Sequence, residues 1–325
     1  MTKKEMKKIM ITGAVGQIGS ELTMALRKKY GNDNVIACGR KTKPNDKLLN
    51  SGPFEYMDIT DKLTVEKVVK KYDIDTIYNM AAILSAVGEE KPALCWNVNI
   101  NGMHNIIEIA YEYDMSRVFV PSSIAAFGPE TPRNNTPNDT ILKPKTMYGV
   151  TKVAGELLGD YYFKRFGIDI RGIRYPGIIS NETLPGGGTT DYAVEIFYEA
   201  IKNKKYTCFL KKDTILPMMY MPDCIKGTMD LMQADIKKLK HHCDFNMTSM
   251  SFSAGELAAE IKKHIPEFKV DYKPDFRQAI ADSWPQSIDD SIAREEWGWM
   301  PSYNLSSMTE DMLNVLGEKF REGKF

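Results

Sequence analysis

The junction where a short apolar run, Lys8–Thr12, meets Gly13-Ala-Val-Gly16-Gln-Ile-Gly19 constrains this chain more than any other feature. Three glycines spaced three apart follow a strand-like segment and open an amphipathic one, Gln17–Tyr30. Glycine at such a turn allows close approach to the backbone. The first turn of the next helix then offers unpaired N–H groups and the positive end of its dipole. Strand, glycine turn and helix in that order predict a pyrophosphate-binding unit. Its cofactor contacts would come from Gly13, Gly16, Gln17 and Ile18.

The same alternation continues. Strand-like runs at Asn34–Cys38, Phe54–Met57, Thr76–Met80, Arg117–Pro121 and Asp169–Arg174 are separated by helical patterns. Those patterns cover Lys62–Tyr72, Ala93–Tyr113 and Tyr148–Phe166. Strands joined by helix-length segments imply a parallel sheet with right-handed crossovers. The expected architecture is α/β, a Rossmann-like doubly wound sheet spanning residues 1–175. After Tyr175 the alternation weakens. Helix-like segments are expected at Asp191–Lys202, Asp223–Ala234, Ser253–His264, Ser287–Trp297 and Ser307–Phe320. Short strands are expected near Thr207–Leu210, Met218–Tyr220, Asp244–Met247 and Lys269–Tyr272. Residues 176–325 therefore read mainly as a smaller α/β substrate-binding lobe, with some segments returning to the first domain.

Composition narrows the partners. Lysine plus arginine, 43, equals aspartate plus glutamate, 43, so no net charge favours nucleic acid or an anionic membrane. Basic clusters at Lys3–Lys8 and Lys237–His242 read as solvated surface. No apolar run is long enough to span a bilayer. The five cysteines, Cys38, Cys95, Cys208, Cys224 and Cys243, show no zinc-like spacing. They read as reduced thiols, in a cytoplasmic chain with no metal.

The end of the second strand is unusual. An acid normally binds the ribose 2′-hydroxyl there. This chain reads Cys38-Gly39-Arg40-Lys41 instead. Arg40 and Lys41 suit a 2′-phosphate through charge-assisted hydrogen bonds, which leans toward NADP, and they would equally serve as loop charges. Asp58 and Ile59 would meet the adenine edge. Ala81 and Ala82, small residues after the fourth strand, leave room for the cofactor.

Tyr148 and Lys152 lie four residues apart, on one face of a helix. A phenol titrates near ~10 and is a poor base at neutral pH, unless a neighbouring ammonium favours the phenolate. The phenolate then takes a hydroxyl proton as hydride leaves the same carbon. Ser123, in Pro121-Ser-Ser-Ile-Ala-Ala-Phe-Gly128, ends the fifth strand, where it would hold the substrate oxygen. Asn99, in the segment 97–105, would support a proton relay or satisfy buried groups. Tyr175 and Ile178 would line the cofactor site after the sixth strand.

These motifs, GxxGxxG, SSxxxFG and YxxxK in that order, resemble the extended short-chain dehydrogenase/reductase superfamily. Longer strings narrow the resemblance: ILSAVGEE (83–90), PSSIAAFGPETPRN (121–134), RYPGIISNETLPGGGTTDYAVEIF (174–197), LPMMYMPDC (216–224), MSFSAGELAAEI (250–261) and RQAIADSWPQSIDDSIAREEWGW (277–299). Together they look like the short-chain-type, NAD-dependent L-threonine 3-dehydrogenases over nearly the whole chain. The resemblance implies oxidation of the L-threonine hydroxyl to 2-amino-3-oxobutanoate without a metal. It gives Tyr148 the role of base, with Lys152 binding ribose and lowering the phenol's pKa. Ser85, Gly188, Thr189 and Trp284 match positions lining the amino-acid site, beside Ser123 and Tyr148. The PGGGTTDY segment has the glycine content of a lid. The family carries aspartate where Gly39 stands. NAD is the cofactor expected from the resemblance, against the NADP leaning of that one place.

Two rival readings remain at this level. A nucleotide-sugar epimerase or dehydratase would need cations for a diphosphate, for which Arg174, Arg277 and Arg294 are the candidates. A cofactor-binding regulator would have no use for the proton-transfer set. The superfamily resemblance also implies a homodimer through Ala93–Tyr113 and Tyr148–Phe166.

Overall fold

The computed structural model describes residues 5–184 and 186–325; Lys3, Lys4 and Pro185, named above, lie outside them. In chain order the first half runs β1 (Ile9–Thr12), α1 (Gln17–Tyr30), β2 (Val35–Gly39), α2 (Asp46–Asn50), β3 (Phe54–Tyr56), α3 (Lys62–Tyr72), β4 (Thr76–Asn79), α4 (Ser85–Glu90), α5 (Pro92–Trp96), α6 (Met103–Glu112), β5 (Arg117–Phe119), β6 (Ser122–Ser123), α7 (Met147–Phe166), β7 (Ile170–Arg171) and β8 (Ile173–Tyr175). The main sheet is six-stranded, in the order β3-β2-β1-β4-β5-β7. Its pairings are all parallel. The sheet is therefore doubly wound, as expected, with its switch point between β1 and β4.

Three expected elements come out differently, each for a local reason. The helix expected over Ala93–Tyr113 is interrupted by a π-turn at Asn97–Gly102. Asn99 sits in that wide turn. Its amide donates to Ile83 O (3.0 Å) and Thr151 Oγ1 (3.1 Å), and its Oδ1 accepts from Ile83 N (2.8 Å). The fifth strand ends at Phe119, two residues short of Pro121, which has no N–H to donate. Ser122–Ser123 then pair with β8 instead. The sixth breaks at Gly172, whose amide turns to His242 O (2.8 Å).

The second half comprises β9 (Gly177–Ile179), α8 (Tyr192–Lys202), β10 (Lys205–Cys208), β11 (Ile215–Tyr220), α9 (Met221–Gln233), β12 (Phe245–Asn246), β13 (Met250–Ser253), α10 (Ala254–His264), β14 (Lys269–Tyr272), α11 (Arg277–Asp282), α12 (Ser291–Trp297) and α13 (Leu305–Arg321). The expected helix start at Ser287 moves to Ser291, because 286–289 instead hydrogen-bond to 133–136. A core of α8, α10 and α13 residues, including Phe197, Leu257, Ile261, Met308 and Met312, forms on this side. Met219, Cys224, Leu231, Phe245 and Trp299 pack instead with Ile9, Ile11 and Leu22 of the first half. β12 also pairs with β8. No helix among the described residues is long and apolar enough to cross a membrane.

Candidate active site

The turn after β1 is shaped by its glycines. Gly13 has φ +62°, and a Cβ there would lie 2.7–2.8 Å from the backbone of Met80 and Ala81. A Cβ on Gly19 would lie 2.2 Å from Gly13 O. Gly16 caps α1 with no side-chain hydrogen bond, and the first turn carries no acid. Gln17 Nε2 is buried without a hydrogen-bond partner among the described residues. An uncapped, positively polarised helix end beside an orphaned amide fits a pyrophosphate.

A cleft runs from this turn across the C-terminal ends of the strands. Of the residues expected at the site, it gathers Gly13, Gly16, Gln17, Ile18, Ala82, Ser85, Ser123, Tyr148, Lys152, Tyr175, Ile178, Gly188, Thr189 and Trp284. Six expected positions do not line it. Ala81 and Asn99 line a smaller cavity behind Lys152. Gly39, Arg40, Asp58 and Ile59 lie beyond the cleft at the β2–β3 end. The Ile59 side chain is buried in the core, facing Gly102.

At the catalytic end, Thr146 caps α7 by accepting from Gly149 N (3.0 Å), which aims the first turn, with Tyr148, into the cleft. Lys152 Nζ lies 5.2 Å from the Tyr148 ring centre and donates to Pro121 O (2.7 Å). Burial pushes the Tyr148 phenol up to about 12, against the hydrogen bond with Ser123 that pulls it down. Burial pulls the Lys152 ammonium down to about 8. The protein alone therefore holds a neutral phenol, and added positive charge in the cleft is what would turn it into a base.

In the same cleft, Ser85 Oγ and Thr189 Oγ1 lie 3.3 Å apart although they are 104 positions apart in the chain. Both are buried. Sequence reasoning missed Asp191, which also lines the cleft. Its Oδ2 accepts from Gly187 N (2.9 Å) and Gly188 N (2.7 Å), shaping the loop that carries Thr189. Burial raises its pKa against those two amides. An acid beside glycines was the available signal, but nothing local says where its carboxylate turns. Met80, Leu84, Pro121, Ser122, Ile124, Pro176, Gly177 and Thr190 complete the lining outside the expected site residues and the glycine turn.

At the other end Gly39 is buried and Arg40 exposed. A Cβ at 39 would press on Phe54 Cζ at 3.0 Å and Val15 Cγ1 at 3.4 Å. Arg40 Nη1 faces Asp58 Oδ2 at 3.7 Å. Asp58 Oδ1 is taken by Thr60 N (3.0 Å) and Thr60 Oγ1 (2.8 Å).

The cations considered for a sugar diphosphate are engaged elsewhere. Arg174 is 2% exposed and forks onto Glu156. Arg277 pairs with Asp275 and Arg294 with Asp290. None is among the cleft's described lining residues. Asp139, His241 and Asp244 place ligand-type atoms within 4.8 Å of one another. They too lie outside the cleft. His241 is bound through Nδ1 to Glu296 Oε1 (2.8 Å), so the group reads as an ion-pair network. All five cysteines are buried thiols.

Residues 9–247 match the family model described as the NAD dependent epimerase/dehydratase family. An uncharacterized epimerase/dehydratase of Staphylococcus haemolyticus is 50% identical over 315 residues, 97% of this chain and 99% of its own length. The L-threonine dehydrogenase of Clostridium difficile superposes with a TM-score of 0.95 at 55% identity, over 97% of this chain and 99% of that one. That of Phytophthora infestans does so with a TM-score of 0.92 at 52% identity, over 96% and 99%.

Proposed function

The chain belongs to the NAD dependent epimerase/dehydratase family, and we propose that it oxidises the side-chain hydroxyl of L-threonine to 2-amino-3-oxobutanoate. The observation that carries this reading is the gathering of two hydroxyl sets in one cleft. Ser123 and Tyr148 line it together with the Ser85–Thr189 pair. The first set handles the reacting hydroxyl; the second gives polar contacts to the rest of a small amino acid. The close likeness to L-threonine dehydrogenases of known structure supports the choice of substrate.

The dinucleotide would be held by the Gly13–Gly19 turn, Gln17 and Ile18, with Tyr175 and Ile178 farther along the cleft. When bound it supplies the hydride acceptor. We assign NAD to that role. Ser123 orients the substrate oxygen. Tyr148, held as the phenolate by the charge of Lys152, takes its proton as the C3 hydride leaves and becomes a neutral phenol. The hydroxyl proton ends on Tyr148 Oη and the electron pair leaves with the hydride, so a ketone remains. Thr189 lines the cleft on the loop shaped by Asp191.

NADH formation from L-threonine by the purified protein tests this reading. Turnover well above background is expected. An exchange-resistant bound dinucleotide with no threonine oxidation would instead favour an epimerase. We also assign a homodimer. Val150, Leu157, Tyr161 and Phe166 of α7, with Tyr111 of α6, form an exposed apolar face. Two such faces together would make a four-helix contact.

A further inference from the structure

Resting on the proton-transfer reading above, we propose that Glu156 is the positioning residue of the site. Its carboxylate ties the strand carrying Ser123 to the helix carrying Tyr148, and supplies the counter-charge behind Lys152. Glu156 lies one helical turn after Lys152 on α7 and is 6% exposed. It does not line the main cleft. Its Oε1 accepts from Ser122 Oγ and from Arg174 Nε (2.9 Å), and its Oε2 from Arg174 Nη2 (2.7 Å). One carboxylate therefore joins α7, β6 and β8.

The neighbours of Ser122 explain why that joint matters. Pro121 O is the acceptor of the Lys152 ammonium, and Ser123 is the hydroxyl beside Tyr148. The bond from Ser122 to Glu156 thus sets both against α7 through a single anchor. Arg174 in turn donates to Asn138 O (2.6 Å), so the anchor is held from behind.

Charge supplies the second half of the argument. Lys152 and Glu156 line the same small cavity, with Asn79, Asn99 and Thr151. The charged and titratable groups facing them are few. Tyr148 shares the helix, Cys95 faces Lys152 from α5, Arg174 faces Glu156 from β8, and Asp244 and Cys243 come from the segment before β12. A buried ammonium loses its proton easily, and an anion nearby opposes that loss. Without the Glu156 charge, Lys152 would lose the acid that faces it, and Arg174 would keep only the more distant Asp244 and Asp139.

Three variants test the inference by kcat/KM for threonine against pH, beside cofactor Kd by titration. Glu156→Gln keeps the shape and an acceptor but removes the charge. Its alkaline limb, where Lys152 loses its proton, should move to lower pH by about one unit. Cofactor Kd should stay within about twofold. Glu156→Asp should return the limb toward that of the wild type. Ser122→Ala keeps the charge but breaks the tie. It should lower kcat about tenfold with little change in KM, and leave the limb in place. An unmoved limb in folded Glu156→Gln overturns the charge role. Where that variant does not fold, full kcat in Ser122→Ala overturns the positioning role. Wild-type protein that fails to oxidise threonine would instead sink the functional reading.

Discussion

The catalytic end of the cleft and the β2 end that lies beyond it are built by opposite rules. At the catalytic end the charged groups are buried and tied down. Lys152 rests on Pro121 O, Glu156 grips Arg174, and Ser122 links them. At the β2 end Gly39 leaves no acid and Arg40 stands half in solvent beside Asp58. Buried groups interact strongly and fix geometry, because water does not screen them. Exposed ones contribute little and adapt to what arrives. On the function proposed above, the buried end would carry the proton transfer, whereas the β2 end would set only a cofactor preference.

This contrast orders the expected effects of substitution. Tyr148→Phe removes the proton acceptor and should lower kcat by about 10²-fold or more, with cofactor binding retained. Steady-state kinetics with NAD and threonine read this directly; full turnover would break the contrast at its strong end. Gly13→Ala acts between the two ends. A Cβ at φ +62° costs roughly 1–2 kcal/mol, and it would also press on the backbone of Met80 and Ala81 at 2.7–2.8 Å. We expect a lower melting temperature and a dinucleotide Kd weakened about tenfold by calorimetry.

Smaller effects belong to the exposed groups. Arg40→Ala should weaken NADP binding several-fold while moving NAD by less than about twofold, the scale of one solvent-screened charge contact. A wild-type protein that greatly prefers NADP would overturn the assignment of NAD and make Arg40 the stronger determinant. The smallest effect on catalysis is expected from Leu157→Glu, on the exposed face of α7. It should shift light scattering from dimer to monomer and leave kcat within about twofold. Unchanged mass in the dimeric range would refute the α6–α7 interface.

Much of the site was legible because its signals are local. The Gly13–Gly19 turn is a backbone requirement, and Tyr148 and Lys152 share a helix face through simple periodicity. The boundaries of α1, α3 and β14 agree with expectation to the residue. Where expectation failed, distant groups had intervened. The π-turn at Asn97–Gly102 comes from hydrogen bonds between Asn99 and residues 83 and 151. The delayed start of α12 comes from pairing of Ile288 with Thr136. The three arginines named as candidates for a sugar diphosphate each have an acid within reach.

Sequence alone thus determined the glycine turn after β1, the doubly wound sheet and the meeting of Ser123, Tyr148 and Lys152 at one cleft. Each depends on backbone conformations and periodicities confined to a few residues. Only the tertiary structure brought Ser85 to Thr189, turned Asp191 onto its own loop and closed Glu156 on Arg174 and Ser122. Such contacts join distant segments. Burial decides them, because a desolvated polar group must take whichever partner the packed chain places beside it.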